Sequence, residues 1–183
     1  MPFGLKNAPS TFQRLVDNIL RENVSKKECM VYMDDIIVFS NGLEEHIKNL
    51  STYVLNKLKS ARLKVQLDKC EFLRKEVEFL GHIVSENGVS PNHDKIKIIN
   101  ELKLLKSETE IKRFLGMTGY YRRFIKNYAH IAKPMTKYLK KDTILNEKDP
   151  EYENAFKCLK EKLTQAPILI YPDFNQPFEI TTF

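Results

Sequence analysis

Two neighbouring aspartates, Asp34 and Asp35, stand inside the run Cys29-Met30-Val31-Tyr32-Met33-Asp34-Asp35-Ile36-Ile37-Val38-Phe39-Ser40. Apolar, β-branched and aromatic residues lead up to the pair and resume directly after it, a composition suited to a strand on either side. One uninterrupted strand would turn neighbouring side chains to opposite faces and bury at least one carboxylate. A tight hairpin avoids this by lifting both acids to its tip. Two readings of such a tip are open. Aspartate is a favoured turn residue, so the pair can be a solvated turn. It can equally be a carboxylate pair that holds a divalent metal for phosphoryl chemistry, because hard oxygen ligands suit Mg2+.

A second constellation lies downstream. Tyr120-Tyr121-Arg122-Arg123-Phe124-Ile125-Lys126-Asn127-Tyr128 interleaves rings with cations, a pattern suited to a surface that meets phosphates through Arg and Lys while the rings pack. The net charge of +6 is unevenly spread: residues 91–141 carry a net +9, residues 1–90 a net +1 and residues 142–183 a net −4. A basic block of this kind points to a polyanionic partner, with a solvated lysine-rich helix surface as the plainer alternative. Other candidate chemistries are weaker. Cys29, Cys70 and Cys158 are odd in number and far apart, which argues against a disulfide framework or structural zinc and fits a reducing compartment. His82, among apolar residues beside Gly81, reads as a core or edge side chain. Gly116 and Gly119 do not follow a strand in the phosphate-loop pattern and read as helix-packing or helix-ending glycines.

The elements that must position these groups follow from periodicity. After a loop rich in Pro and Gly, Phe12, Leu15, Val16, Ile19 and Leu20 form an apolar stripe of helical period, with Asn7 or Ser10 as cap and Gln13, Arg14 and Asp17 on the other side. Leu43, Ile47, Leu50, Val54, Leu58 and Ala61 predict a second helix. Leu63–Asp68 alternates and predicts a strand, Val77–Val84 a further strand, and Glu86-Asn87-Gly88 a hairpin turn. This is an α+β arrangement with helices on one face of an antiparallel sheet. Helices are then expected from Asp94, from the capping-box spacing Ser107–Glu110, and over Tyr152, Ala155, Phe156, Leu159 and Leu163. Ile168–Tyr171 and Phe178–Thr182 read as strands. At 42% hydrophobic and 30% charged residues the chain reads as globular, and no apolar run approaches the roughly 20 residues that cross a bilayer.

Three blocks, Met1-Pro2-Phe3-Gly4-Leu5-Lys6-Asn7-Ala8-Pro9-Ser10-Thr11-Phe12-Gln13, Tyr32-Met33-Asp34-Asp35 and Phe79-Leu80-Gly81-His82, resemble successive motifs of reverse transcriptases. Their wording, order and spacing are similar to the gypsy class of LTR retrotransposons, within the Pol polyprotein. Phe114-Leu115-Gly116-Met117-Thr118-Gly119-Tyr120-Tyr121-Arg122-Arg123-Phe124 resembles the thumb of the same enzymes. The resemblance implies a partial polymerase palm over residues 1–90, a helical thumb over 91–141, and over 142–183 a short α/β connection leading into the start of a ribonuclease H domain.

The same resemblance implies the site. Phe3 and Gly4 would line the incoming deoxynucleotide, and Asp34 and Asp35 would be catalytic ligands of Mg2+, with Mn2+ as a substitute. Two ions about 3.5–4 Å apart would activate the primer hydroxyl and stabilise the leaving oxygen. Leu80, Gly81 and His82 would form the primer grip, and Arg122, Arg123 and Lys126 would meet the template–primer backbone. Lys69 lies near a lysine proposed in related polymerases to protonate pyrophosphate, although an exposed strand-end lysine is the simpler reading. Implied partners are an RNA or DNA template with a DNA primer, deoxynucleoside triphosphates and the remainder of Pol, with no membrane. The implied location is the cytoplasm, in a virus-like particle for the intact element, or the nucleus. The family draws a further aspartate from a palm strand ahead of the Met1–Gly4 block and carries an acidic residue where Phe183 stands here. The chain is therefore expected to be a fragment that alone neither extends a primer nor cuts RNA. The competing expectations are a non-catalytic nucleic-acid-binding module that keeps the basic thumb, and an untranslated relic.

Overall fold

Helix α1 (Ala8–Ser25) begins with Pro9 in its first turn, where the missing N–H leaves no bond unmade. The expected side-chain cap is absent: the Ser10 hydroxyl instead donates to the Asn7 carbonyl at 3.1 Å. Val16 and Leu20 on the predicted stripe are fully buried, flanked by Phe12 and Ile19. They pack against a hairpin of β1 (Cys29–Tyr32) and β2 (Asp35–Val38), antiparallel from Cys29↔Val38 to Tyr32↔Asp35. Cys29, Val31, Ile36 and Val38 join this core, while Met30 and Tyr32 face outward, the alternation a half-buried ribbon requires. Burying a side chain such as Leu20 contributes roughly 1.5–3 kcal/mol. The computed structural model describes residues 4–26, 28–141 and 143–177. These pack as two compact units, residues 1–72 and 73–183.

The second predicted helix forms, with its phase changed. It runs as α2 (Leu43–Lys48), a π-helical stretch Asn49–Leu55 and α3 (Asn56–Ser60). The wider π turns rotate the buried face, so Leu43 and Ile47 are exposed while Asn49, Val54 and Leu58 are buried. Asn49 Nδ2 donates to Ser40 Oγ at 3.0 Å, which satisfies the buried amide. The strand expected over Leu63–Asp68 is not formed. Leu67–Lys69 is a 3₁₀ turn and Val65 and Leu67 are exposed. Among the described residues no neighbouring strand pairs with the segment, and alternation makes a strand only where a partner supplies the ladder.

The second unit opens on a three-stranded meander, β3 (Glu76–Phe79), β4 (His82–Ser85) and β5 (Gly88–Pro91). Val77–Val84 is therefore two strands, not the one expected, with a hairpin closed by Phe79↔His82. Its central residues, Leu80 (φ 49) and Gly81 (φ 68), both adopt the left-handed conformation, as a tight primed turn requires. Then follow α4 (His93–Glu101), capped by Asn92, and α5 (Glu108–Tyr120), capped by Ser107, with α6 (Tyr128–Thr136) and α7 (Pro150–Thr164) behind them. All five positions of the α7 stripe are buried. Phe156 meets Phe114 with ring centroids 4.8 Å apart, and the Tyr152 hydroxyl donates to the Leu105 carbonyl at 2.9 Å. Of the strand expected at Ile168–Tyr171, a single bridge forms, in which Leu169 and Val89 exchange backbone hydrogen bonds of 2.8 and 2.9 Å. Phe178–Thr182 lies outside the described residues. Among the described residues no helix is long and apolar enough to cross a membrane.

Candidate functional site

The β1–β2 hairpin turns on two residues, Met33 and Asp34, so Asp34 sits in the turn and Asp35 opens β2 opposite Tyr32. Both aspartates are exposed. Among the described residues neither carboxylate accepts a hydrogen bond or pairs with a cation, which leaves four oxygens free at the tip. Met33 has φ 51, a conformation that a side chain with Cβ adopts only under constraint. The constraint comes from α1. Gln13 Oε1 accepts the Met33 N–H, and Gln13 Nε2 donates to the Val31 carbonyl at 3.3 Å and to Asp17 Oδ1 at 2.8 Å. One amide thus pins the turn that carries the acids. The sequence reading set Gln13 on the polar side of α1 with no role. Its helical position shows no more than that, because the contact spans twenty residues.

In chemical terms the tip is a set of hard oxygen donors without partners among the described residues, which fits a divalent cation such as Mg2+. Asp34 and Asp35 are the residues that would hold it. Among the described residues no group of three or more acidic, histidine or cysteine side chains that could hold a metal comes together.

The second unit carries the other candidates. Leu80 and Gly81 form the β3–β4 turn and His82 opens β4. The Tyr120 hydroxyl donates to the Leu80 carbonyl at 2.6 Å and the Tyr121 hydroxyl to the Gly81 carbonyl at 2.8 Å. His82 lies within ring-contact distance of Tyr120, Tyr121 and Phe124, at centroid separations of 5.2, 5.5 and 5.8 Å. Its Nδ1 is 2.8 Å from the Leu80 carbonyl, which can only accept, so the proton sits on Nδ1. Nε2 is buried with no partner among the described residues. Burial by these rings holds the imidazole below its usual pKa, and the Arg123 charge adds to this against the opposing Leu80 bond.

Immediately after the tyrosines, Arg122–Phe124 form a 3₁₀ turn with a clean division of labour. Tyr121, Phe124 and Ile125 are buried, whereas Arg122, Arg123 and Lys126 are exposed and unpaired with any carboxylate among the described residues. The rings of Tyr121 and Phe124 pack in the core, while that of Tyr120 is half exposed. Gly4 is an exposed residue with φ 86 and open space where a Cβ would be, and Phe3 lies outside the described residues. Lys69 is exposed in the 3₁₀ turn Leu67–Lys69. The structure thus gathers Asp34 and Asp35 on one turn in the first unit, and Leu80, Gly81, His82 and the cation cluster in the second.

The family model described as "Reverse transcriptase (RNA-dependent DNA polymerase)" matches residues 1–84. The chain is 53% identical over 182 residues to the Retrovirus-related Pol polyprotein from transposon 297 of Drosophila melanogaster, and 39% identical over 193 residues to that from transposon gypsy. Each alignment takes in the whole of this chain but only 17% and 18% of the relative, so the chain spans less than a fifth of these polyproteins. Among solved structures, a foamy viral protease-reverse transcriptase in complex with dsDNA superposes with a TM-score of 0.84 at 27% identity, covering 97% of this chain and 37% of that one. The same enzyme in complex with an RNA/DNA hybrid gives 0.82 at 26%, covering 93% and 23%. Residues 1–84, which carry the acidic hairpin and the Leu80-Gly81 turn, thus match the reverse transcriptase family, and the chain over its whole length is similar to retrotransposon Pol polyproteins.

Proposed function

We propose that this chain provides the acidic hairpin, primer grip and thumb of an RNA-directed DNA polymerase, with palm over residues 1–90, thumb over 91–141 and connection over 142–183. The observation that carries the reading is a pair of carboxylates, Asp34 in the turn pinned by Gln13 and Asp35 at the start of β2, both unpartnered among the described residues. Asp34 and Asp35 would hold Mg2+ or Mn2+, whose role when bound is to activate the primer hydroxyl and neutralise the leaving oxygen. The chain's own residues do the rest. Gln13 fixes the tip, Phe3 and Gly4 line the deoxynucleotide, and Leu80, Gly81 and His82 hold the primer end. Arg122, Arg123 and Lys126 meet the sugar-phosphate backbone of an RNA or DNA template paired with a DNA primer. The other metal ligands come from the rest of Pol, in the cytoplasm, within a virus-like particle, or in the nucleus. Foamy viral relatives solved with dsDNA and with an RNA/DNA hybrid support such a partner.

The test is duplex binding by the full chain as a function of salt. The affinity for a primer–template should fall steeply as salt rises, and Arg122→Ala/Arg123→Ala/Lys126→Ala should flatten the log–log slope by about 0.9 for each cation removed. A wild-type chain whose binding is absent or indifferent to salt would overturn the reading.

A further inference from the structure

We propose that Tyr120 and Tyr121 are positioning residues for the primer terminus: their hydroxyls hold the Leu80 and Gly81 carbonyls and so fix the turn that grips the primer. The inference rests on the polymerase reading above and extends it to two residues outside the grip itself. In a two-residue hairpin the ladder is closed by Phe79 and His82, and the carbonyls of the two central residues are left over. Here three donors converge on those two oxygens: Tyr120 and His82 Nδ1 on Leu80, and Tyr121 on Gly81. A leucine at φ 49 persists where its surroundings over-determine it, and these bonds do so.

The two tyrosines divide the work. The Tyr121 ring is 4% exposed and locked in the core, so its hydroxyl has a fixed origin. The Tyr120 ring is 54% exposed and leans edge-on against Tyr121, centroids 5.2 Å apart at 85°. Arg122 and Arg123 follow in the next turn of the same segment. One continuous stretch therefore carries both the cations proposed to meet the duplex and the hydroxyls that hold the turn. Phenylalanine would pack as well as tyrosine at either site, so the oxygen atom alone separates positioning from packing.

The experiment compares wild type with Tyr120→Phe, Tyr121→Phe and the double variant in the full chain, with Arg122→Ala/Arg123→Ala as a backbone-contact control. One readout is amide hydrogen exchange at Leu80, Gly81 and His82, which needs no nucleic acid. The other is fluorescence of a 2-aminopurine placed as the terminal primer base of a recessed DNA duplex, with affinity followed by anisotropy of a distal label. Loss of both hydroxyls should speed exchange in the turn about tenfold. It should also abolish the bound-state change at the terminal base while leaving duplex affinity within about twofold; the arginine control should instead lose affinity. Unchanged exchange in the double variant overturns the inference. Faster exchange with an unaltered terminal signal also overturns it and leaves the proposed function standing. A wild-type chain that binds no duplex overturns both. Tyr120→Phe changes a half-exposed ring by one atom, so it keeps the test open if the double variant does not fold.

Discussion

Of the three two-residue hairpin turns among the described residues, Met33-Asp34 and Leu80-Gly81 are built alike but dressed oppositely. Each places a side-chain-bearing residue at positive φ, near 50° in both cases. Each is held by polar side chains sent from a helix of its own unit, Gln13 from α1 in one and Tyr120 and Tyr121 from the end of α5 in the other. The first clamp grips an N–H and a strand carbonyl and leaves the tip bare, so the carboxylates keep their full capacity for a cation. The second grips the tip carbonyls themselves and roofs the turn with rings, so Nε2 of its half-buried histidine is covered. One backbone device thus serves two ends: presenting charge to solvent, and holding a backbone still.

That comparison is broken most severely at Gly81. Its φ of 68 lies where an L side chain is disfavoured, and a Cβ there would stand 3.4 Å from the Tyr120 ring. Gly81→Ala should destabilise the second unit by about 1–2 kcal/mol, the cost of a left-handed residue carrying Cβ. Denaturant unfolding measures this directly, since the midpoint should fall with the slope unchanged. A midpoint that does not move would mean that the turn is not held in its left-handed form.

These two turns also mark where sequence reasoning reaches and where it stops. The acidic hairpin was legible because the charges interrupt an apolar run, and burying either of them is costly. The α1 and α7 stripes were legible because one buried face per helix leaves a 3.6-residue imprint, seen in Val16 and Leu20 and in Tyr152 to Leu163. The Leu80-Gly81 turn was hidden because its first residue is a leucine, which looks like strand. The one available signal was an isolated glycine inside a strand pattern, often a mark of a bulge or turn. Leu63–Asp68 misled in the other direction, since alternation records a face to bury without recording whether a neighbour exists. The clamps left no local trace at all. Gln13 acts across twenty residues and the tyrosines across forty, and no periodicity encodes a hydrogen bond of that span.

A smaller effect sharpens the likeness between the clamps. Gln13→Ala removes the acceptor for the Met33 N–H and the donor to the Val31 carbonyl, both at the rim of the unit. The expected loss is about 1 kcal/mol, the net worth of a partly solvated hydrogen-bond pair. It should come with faster amide exchange at Met33 and little change at Cys29, which is buried at the far end of β1. Gln13→Glu keeps the acceptor and loses the donor, so it should retain Met33 protection while weakening the hold on Val31. Equal protection of Met33 in wild type and Gln13→Ala would show that the turn holds its shape unaided, and the parallel with α5 would fail.

The least energetic prediction isolates what the aromatic roof does. His82 is faced by Tyr120, Tyr121 and Phe124 and by the Arg123 charge, and burial holds its folded pKa below the ordinary value of about 6.5. Between the lowered folded value and about 6.5, the unfolded chain binds a proton that the folded chain does not. The stability associated with His82 is therefore full above about 6.5 and declines as pH falls through that window toward the folded value, then levels off once both states are protonated. His82→Gln removes the titration and keeps a polar side chain, so the difference between wild-type and variant melting temperatures should narrow in wild type's disfavour as pH drops below 6.5. The imidazole resonances of His82 should titrate below that value and shift back toward it in Tyr120→Phe/Tyr121→Phe, where the turn is released and water reaches Nε2. A His82 that titrates at the ordinary value in the wild-type chain would mean the roof is open, and the contrast between a bare turn and a covered one would rest on the hydroxyl bonds alone.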